Sequence, residues 1–264
     1  MTDIPARLVK QLRDMTGAPM MDCKRALEEA EGDLERARQI LREKGLASAA
    51  KRAGKETPEG KVLADVHERH GAIVAVGCET EPVSKNEAFV GFAERVLATV
   101  DAEGPEAVQK LEDERVELVA KLGENVDVRG AARMQASDDE VLSSYVHPPA
   151  DKIGVLVRVK GSRELARQIA MHISFANPRF RSRDEVPVDE IERERAIYER
   201  LPEVESKPEH IRPQIVEGKL TKEFLAQTVL ADQPWIHEPS KNVGQALEEA
   251  AAEVGEFVRY ALAE

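Results

Sequence analysis

The spacing of apolar side chains changes at residue 61, and that change limits what this chain can fold into. Ahead of it, Ile4, Leu8, Leu12 and Met15 recur at steps of four, four and three, the stripe of an amphipathic helix. From 61 onward, Val62, Ala64 and Val66 alternate with Leu63, Asp65 and His67, the two-residue period of a strand. A helical N-terminal piece therefore precedes a remainder that mixes helices and strands. Charge divides the chain at about the same place. Residues 1–55 hold 12 basic and 9 acidic side chains, whereas the 264-residue whole carries a net charge of −12.

The N-terminal piece, 1–45, reads as three short helices. Thr2 or Asp3 is the expected N-cap of the first, with Pro5 in its first turn, where a missing N–H costs little. The segment 16–19 stops it. A second helix carries Cys23, Leu27 and Ala30 and ends at Gly32, a residue free to take the positive φ of a C-cap. Asp33 then caps a third helix with Leu34, Ala37 and Leu41, which is expected to close at Gly45. So small a core is marginal alone. Residues 46–60 have no apolar stripe and read as a linker, helical in part or not at all.

A hairpin follows, Val62–Val66 and Ala72–Cys78, then helices over about 85–101 and 105–122 and a strand near 125–134. The order is ββααβ, and it recurs. Val141–His147 and Ile153–Val159 flank a Pro148-Pro149 turn, helices are expected at 163–176 and 241–253, and 254–262 is a final strand. We read two related α+β subdomains with small antiparallel sheets, 61–138 and then 139–178 with 235–264. The second is interrupted by a helical hairpin over 179–234. Val188, Ile191, Tyr198 and Leu201 stripe its first helix and Ile211, Ile215 and Phe224 its second, a short antiparallel coiled coil broken by Arg195.

Chemistry is scarce along this chain. There is no GxxxxGK[ST] or GxGxxG turn to cradle phosphates and no GxSxG elbow. The DxxG at Asp14–Gly17 reads as a helix end. Cys23 and Cys78, without CxxC spacing, read as reduced structural thiols. His67 and His70 flank a turn with no third ligand at metal spacing, so no metal or cofactor is expected. The negative charge argues against coating nucleic acid, ten aromatic residues argue against base stacking, and no segment is long and apolar enough to span a membrane. With neither a signal nor a transit peptide at 1–15, the expected location is cytoplasmic.

Three features stay open at this level. Lys51, Arg52 and Lys55 are either a solvated linker or a phosphate-contacting patch. Met20 and Met21 adjoin the second helix's first turn; adjacent residues cannot both face one core, so one is expected to be exposed, as core edge or partner contact. Segment 78–83, Cys-Glu-Thr-Glu-Pro-Val, leaves a buried strand with two carboxylates and a proline. It is either a helix cap or a rigid acidic loop offered to another molecule.

Residues 8–13 (LVKQLR), 16–18 (TGA) and 20–27 (MMDCKRAL) strongly resemble the N-terminal signature of the bacterial translation elongation factor Ts family. The likeness continues through Glu79-Thr80 with Val83, 119–125 (VAKLGEN), Tyr145 with His147, 152–157 (KIGVLV), 170–173 (AMHI), 217–219 (EGK), Gln233-Pro234, and 239–241 (PSK) with Val243-Gly244. It implies a guanine-nucleotide exchange factor without covalent catalysis, which binds elongation factor Tu in its GDP-bound and nucleotide-free forms. The expected Tu contacts are Arg13, Met20 and Met21 in the N-terminal module and Glu81, Pro82, Leu122, Gly123 and His147 in the core.

The family typically has Asp-Phe where this chain has Glu81-Pro82, and in relatives the Phe is thought to wedge between two helices of Tu. The proline ring gives up much of that wedge. The chain also ends at Glu264, where some relatives carry an extra helical module, so contacts made by such a module are expected to be missing. The alternative reading is a helical adaptor, because the N-terminal bundle is similar in pattern to ubiquitin-associated (UBA-like) modules. Whether the hairpin insertion pairs two molecules stays open.

Overall fold

The computed structural model describes residues 4–263. Three helices come first: α1 (Ala6–Thr16), α2 (Met20–Glu29) and α3 (Leu34–Arg52). The proposed caps Thr2 and Asp3 lie outside the described residues, and Pro5 occupies the N-cap position. Gly17, at φ 65°, ends α1, so the DxxG is a helix end. The second helix stops at Glu29, earlier than the Gly32 read from sequence: Ala30 is its C-cap, Glu31 turns left-handed at φ 53°, and the Gly32 amide bonds back to Leu27. The Asp33 carboxylate accepts from the Arg36 N–H, the start read from sequence.

The third helix does not close at Gly45. It runs on to Arg52, because the 46–50 stretch (LASAA) is rich in good helix formers and because a second surface receives it. A Cβ built on Gly45 would lie 3.2 Å from the Ala120 Cβ, and Ala49 is buried in the core beyond. Small side chains on this face admit the close approach. One helix of 19 residues, about 28 Å at 1.5 Å per residue, thus joins the N-terminal cluster of Val9, Leu12, Cys23 and Leu27 to the main core.

Strands β1 (Glu59–Val66) and β2 (His70–Cys78) form the first hairpin, followed by α4 (Glu81–Ser84), α5 (Glu87–Glu103), a 3₁₀ segment (Pro105–Leu111), α6 (Glu112–Leu122) and β3 (Val126–Gln135). The helix read as starting at 105 thus opens as a 3₁₀ stretch. The second half repeats the plan with β4 (Val141–Val146), β5 (Ile153–Lys160), α7 (Arg163–Ala176), α12 (Val243–Glu249) and β6 (Glu253–Ala261). Each half contributes one three-stranded antiparallel sheet, ordered β1-β2-β3 and β4-β5-β6.

The sheets pack on each other, each with helices behind it. Val62, Ile73, Ala75, Leu142, Leu156 and Leu262 fill the space between them. Ala72, Val74, Val76 and Cys78, on the other face of β2, meet Phe89, Phe92 and Val96 of α5. Burial on both faces explains why β2 is apolar almost throughout. In the second half Val155, Val157 and Val159 meet Ile169 and Ile173 of α7. Glycine allows close approach between layers: a Cβ on Gly154 would lie 2.5 Å from Val62 Cγ1.

The inserted segment carries α8 (Val188–Glu199), α9 (Pro202–Glu205), α10 (Arg212–Lys219), a π-helical turn (Leu220–Leu225) and α11 (Ala226–Thr228). It folds around its own cluster of Tyr198, Val204, Val216, Leu220 and Phe224. Arg195, which interrupts the stripe, bonds Glu217 across the hairpin at 2.8 Å. Val188 is 70% exposed, so it is not part of the buried stripe: it is the first residue of its helix, ahead of the turns that pack. No helix among the described residues is long and apolar enough to cross a membrane.

Candidate functional site

At the open end of the β1–β2 hairpin, Glu59 pairs with Cys78 and the chain turns into segment 79–83. Its first carboxylate is a clamp. Glu79 Oε1 accepts from Arg52 Nη1 at 2.8 Å and from the Asn125 backbone N–H at 2.7 Å, and Oε2 accepts from Lys55 Nζ at 3.1 Å. Burial works to raise the Glu79 pKa, but the Asn125 amide, Lys55 and Arg52 together outweigh it and hold the carboxyl below its usual value. Two of the three basic residues singled out in the expected linker, Arg52 and Lys55, therefore have a structural partner. The Thr80 N–H and hydroxyl both donate to Glu124, at 3.0 and 2.6 Å.

These bonds tie 79–83 to the turn at the end of α6, where Gly123 sits at φ 71° with open space where a Cβ would be. Glu81, Pro82, Leu122 and Gly123 are thereby brought together. Glu81 and Pro82 are both exposed. Glu81 bonds Lys85 Nζ at 2.7 Å, and that bond lowers its pKa, with Lys152 adding a weaker pull. Pro82 sits in the first turn of the short α4, and the buried Cys78 thiol donates to the Thr80 carbonyl at 3.3 Å. Burial pushes that thiol up to about 12, with Glu124 adding to the effect.

The N-terminal module adjoins the same edge. A Cβ on Gly17 would lie 3.5 Å from the Lys121 side chain, and a cleft of about 920 Å³ between α3 and α6 is lined by Met15, Arg42, Leu46, Asp113, Ala120 and Lys121. Arg13 is exposed on α1. Met20 and Met21 are both exposed, at 51% and 57%, where only one of them was expected to be: the buried face of α2 is Cys23, Ala26 and Leu27, and both methionines precede it. Met15 is 49% exposed too. It extends past the Val9 and Leu12 stripe at the end of α1, so the core role expected of it does not hold.

His147 lies on the turn between β4 and β5. Its Nδ1 is 3.0 Å from the Tyr145 hydroxyl, and the two border a pocket of about 380 Å³ with Ile153, Met171, Phe175 and Ile236. Phe175, 80% exposed, carries no motif. Its signal in the sequence is only that it falls off the Ile169, Ala170, Ile173 face of α7. The same β4–β5 turn reaches the first sheet: Lys152 bonds Glu59 at 2.6 Å and Lys61 bonds Asp151 at 2.7 Å. Both groups of core residues therefore occupy one end of the two-sheet core.

The histidine pair of the β1–β2 turn sits at the other end. The third group that chain spacing does not reveal is supplied through the fold by Asp101 of α5.

The described residues thus form a helical module, a doubled ββα core and a hairpin inserted in the second half, with exposed methionines, a carboxylate and a proline along one edge. A family model described as Elongation factor TS matches residues 79–264. Along its whole length the chain is 41% identical to Elongation factor Ts of Escherichia coli O139:H28, covering 93% of that protein, and 40% identical to that of Serratia proteamaculans, again covering 93%. The chain belongs to the elongation factor Ts family.

Proposed function

We propose that this protein is a guanine-nucleotide exchange factor: it binds elongation factor Tu carrying GDP, promotes GDP release and leaves Tu open to GTP. The observation that carries the reading is the clamped segment 79–83, which holds Glu81 and Pro82 out to solvent beside Leu122 and Gly123. Arg13, Met20 and Met21 flank this rim as adaptable contacts, and His147 with Tyr145 extends it. The protein needs no nucleophile, only a tighter grip on empty Tu than on loaded Tu, and the coupling is reciprocal: the factor weakens GDP as much as GDP weakens the factor. A thousandfold faster release corresponds to about 4 kcal/mol off the barrier.

Pro82 offers less apolar surface than the Phe usual at this position, so the clamp and the flanking methionines carry a larger share of the binding. Such a factor acts in the cytoplasm and needs neither nucleic acid nor membrane. The test is stopped-flow release of fluorescent GDP from the cognate Tu. Acceleration by the wild type, lost or reduced in Glu81→Ala and altered in Pro82→Phe, supports the reading. Binding to Tu that is insensitive to GDP, with no acceleration, replaces exchange by an adaptor role.

A further inference from the structure

Two imidazoles and a carboxylate converge where the β1–β2 turn meets the last turns of α5. His67 Nε2 lies 3.2 Å and His70 Nε2 3.3 Å from the same oxygen, Asp101 Oδ2. The three ligand atoms fall within 4.8 Å of one another, and the two rings lie 4.6 Å apart at a tilt of 32°. The turn is closed by the His67 N–H donating to the His70 carbonyl at 2.8 Å, which sets both rings on one side. Arg69, the cation between them, is engaged with Asp138 and does not compete for Asp101. Asp101 Oδ1 is buried and has no hydrogen-bond partner among the described residues.

We infer that His67, His70 and Asp101 form a binding site for one divalent transition-metal ion of the zinc type. With metal–nitrogen and metal–oxygen bonds of about 2.0–2.2 Å, the edge of a tetrahedron of ligands is about 3.3–3.5 Å. The two nitrogen–oxygen separations fall within about 0.1 Å of that edge. They are longer than the usual N–H···O bond, about 2.9–3.0 Å, and both imidazoles share one acceptor oxygen. An ion among the three donors removes that competition and balances the carboxylate whose second oxygen has no donor.

Two imidazoles select against magnesium and calcium, which take oxygen ligands, and favour zinc, cobalt, nickel or copper. A fourth position stays open to water, with Asp65 Oδ2 3.7 Å from His67 Nε2 as an outer carboxylate. The ion would fasten the hairpin tip to α5 at the end of the core away from Glu81 and Pro82. The inference is independent of the exchange reading.

The experiment uses the full chain, stripped with chelator and titrated with zinc sulfate by calorimetry. Cobalt(II) serves as a spectroscopic probe. The wild type is expected to bind one zinc per chain with a micromolar or lower dissociation constant, to show the intense visible bands of tetrahedral cobalt, and to melt at a higher temperature with zinc than without. His67→Ala/His70→Ala and the isosteric Asp101→Asn should each weaken zinc by at least about tenfold, the size of change typical when a metal site loses a supporting group. Their metal-free melting temperatures act as the folding control. If a variant melts early without metal, His67→Gln, altered at the more exposed ring, replaces it and must still lose affinity. Zinc uptake equal in wild type and variants, or no saturable binding and no cobalt bands in the wild type, overturns the inference.

Discussion

Replacing Glu79 by Ala removes one carboxylate that serves three donors, and the size of the effect follows from what each donor does next. The Asn125 amide is left in a buried turn without an acceptor, a penalty of about 1–3 kcal/mol. Arg52 and Lys55 lose an ion pair whose carboxylate is 17% exposed; these cations reach solvent, so their share is at most about 1 kcal/mol. The sum, about 1–4 kcal/mol, falls on the local tie between 79–83 and 122–125. Glu79→Gln keeps an acceptor for Asn125 and gives up only the charge, so its cost is about 1 kcal/mol.

Hydrogen exchange at the Asn125 amide reads this directly. At about 1.4 kcal/mol per decade, Glu79→Ala should lower its protection by roughly 5- to 1000-fold and Glu79→Gln by no more than about 5-fold. On the exchange reading proposed above, GDP release from Tu should slow in the same order. The pH dependence has a definite sign. The folded pKa of Glu79 is lowered, so its contribution is complete above the unfolded value of 4.5 and is lost as pH falls through the lower folded value. Equal protection in wild type and Glu79→Ala would refute the clamp.

Three further outcomes follow. Gly154→Ala puts a methyl 2.5 Å from Val62 Cγ1 and should cost about 1–3 kcal/mol, read as a lower urea midpoint at unchanged slope. His172 is buried: its Nε2 pairs with Gln233 Oε1 at 2.9 Å and its Nδ1 faces the Ile236 N–H at 3.5 Å. Burial lowers its pKa against the opposing pull of the Gln233 bond. The unfolded chain thus takes up a proton that the fold refuses, and stability should fall as pH drops below about 6.5, by at most about 1.4 kcal/mol per pH unit, a slope that His172→Gln flattens. Finally, Cys23 and Cys78 are both buried with raised pKa, so iodoacetamide at pH 8 should label neither in the native protein and both in urea.

The doubled α+β plan was legible because each strand pair and each helix states its period locally. Val62–Val66 alternates, α7 carries its stripe, and Gly17 and Asp33 mark ends where the structure has them. What depends on surfaces far apart in the chain was not legible. Gly45 looks like a helix stop until Ala120 is placed beside it. Met15 looks like core until the bundle is seen to bury only Val9 and Leu12 of α1. The motif residues Glu81, Pro82, Leu122 and Gly123 could be named from the sequence, but not the bonds from Glu79 to Arg52 and Asn125 that hold them together. Asp101 had no local mark and Phe175 only its place off the apolar face of α7, because a helix-borne aspartate and an exposed aromatic acquire meaning only from neighbours that the fold supplies.

The continuous α3 settles how the two ends of the rim can move. With its first half seated among α1 and α2 and its second half against α6, no flexible joint separates the methionine-bearing bundle from the Glu81 corner. In the exchange reading proposed above, the two act like the jaws of a caliper joined by one unbroken helix, so that a partner gripped by both is the body that deforms.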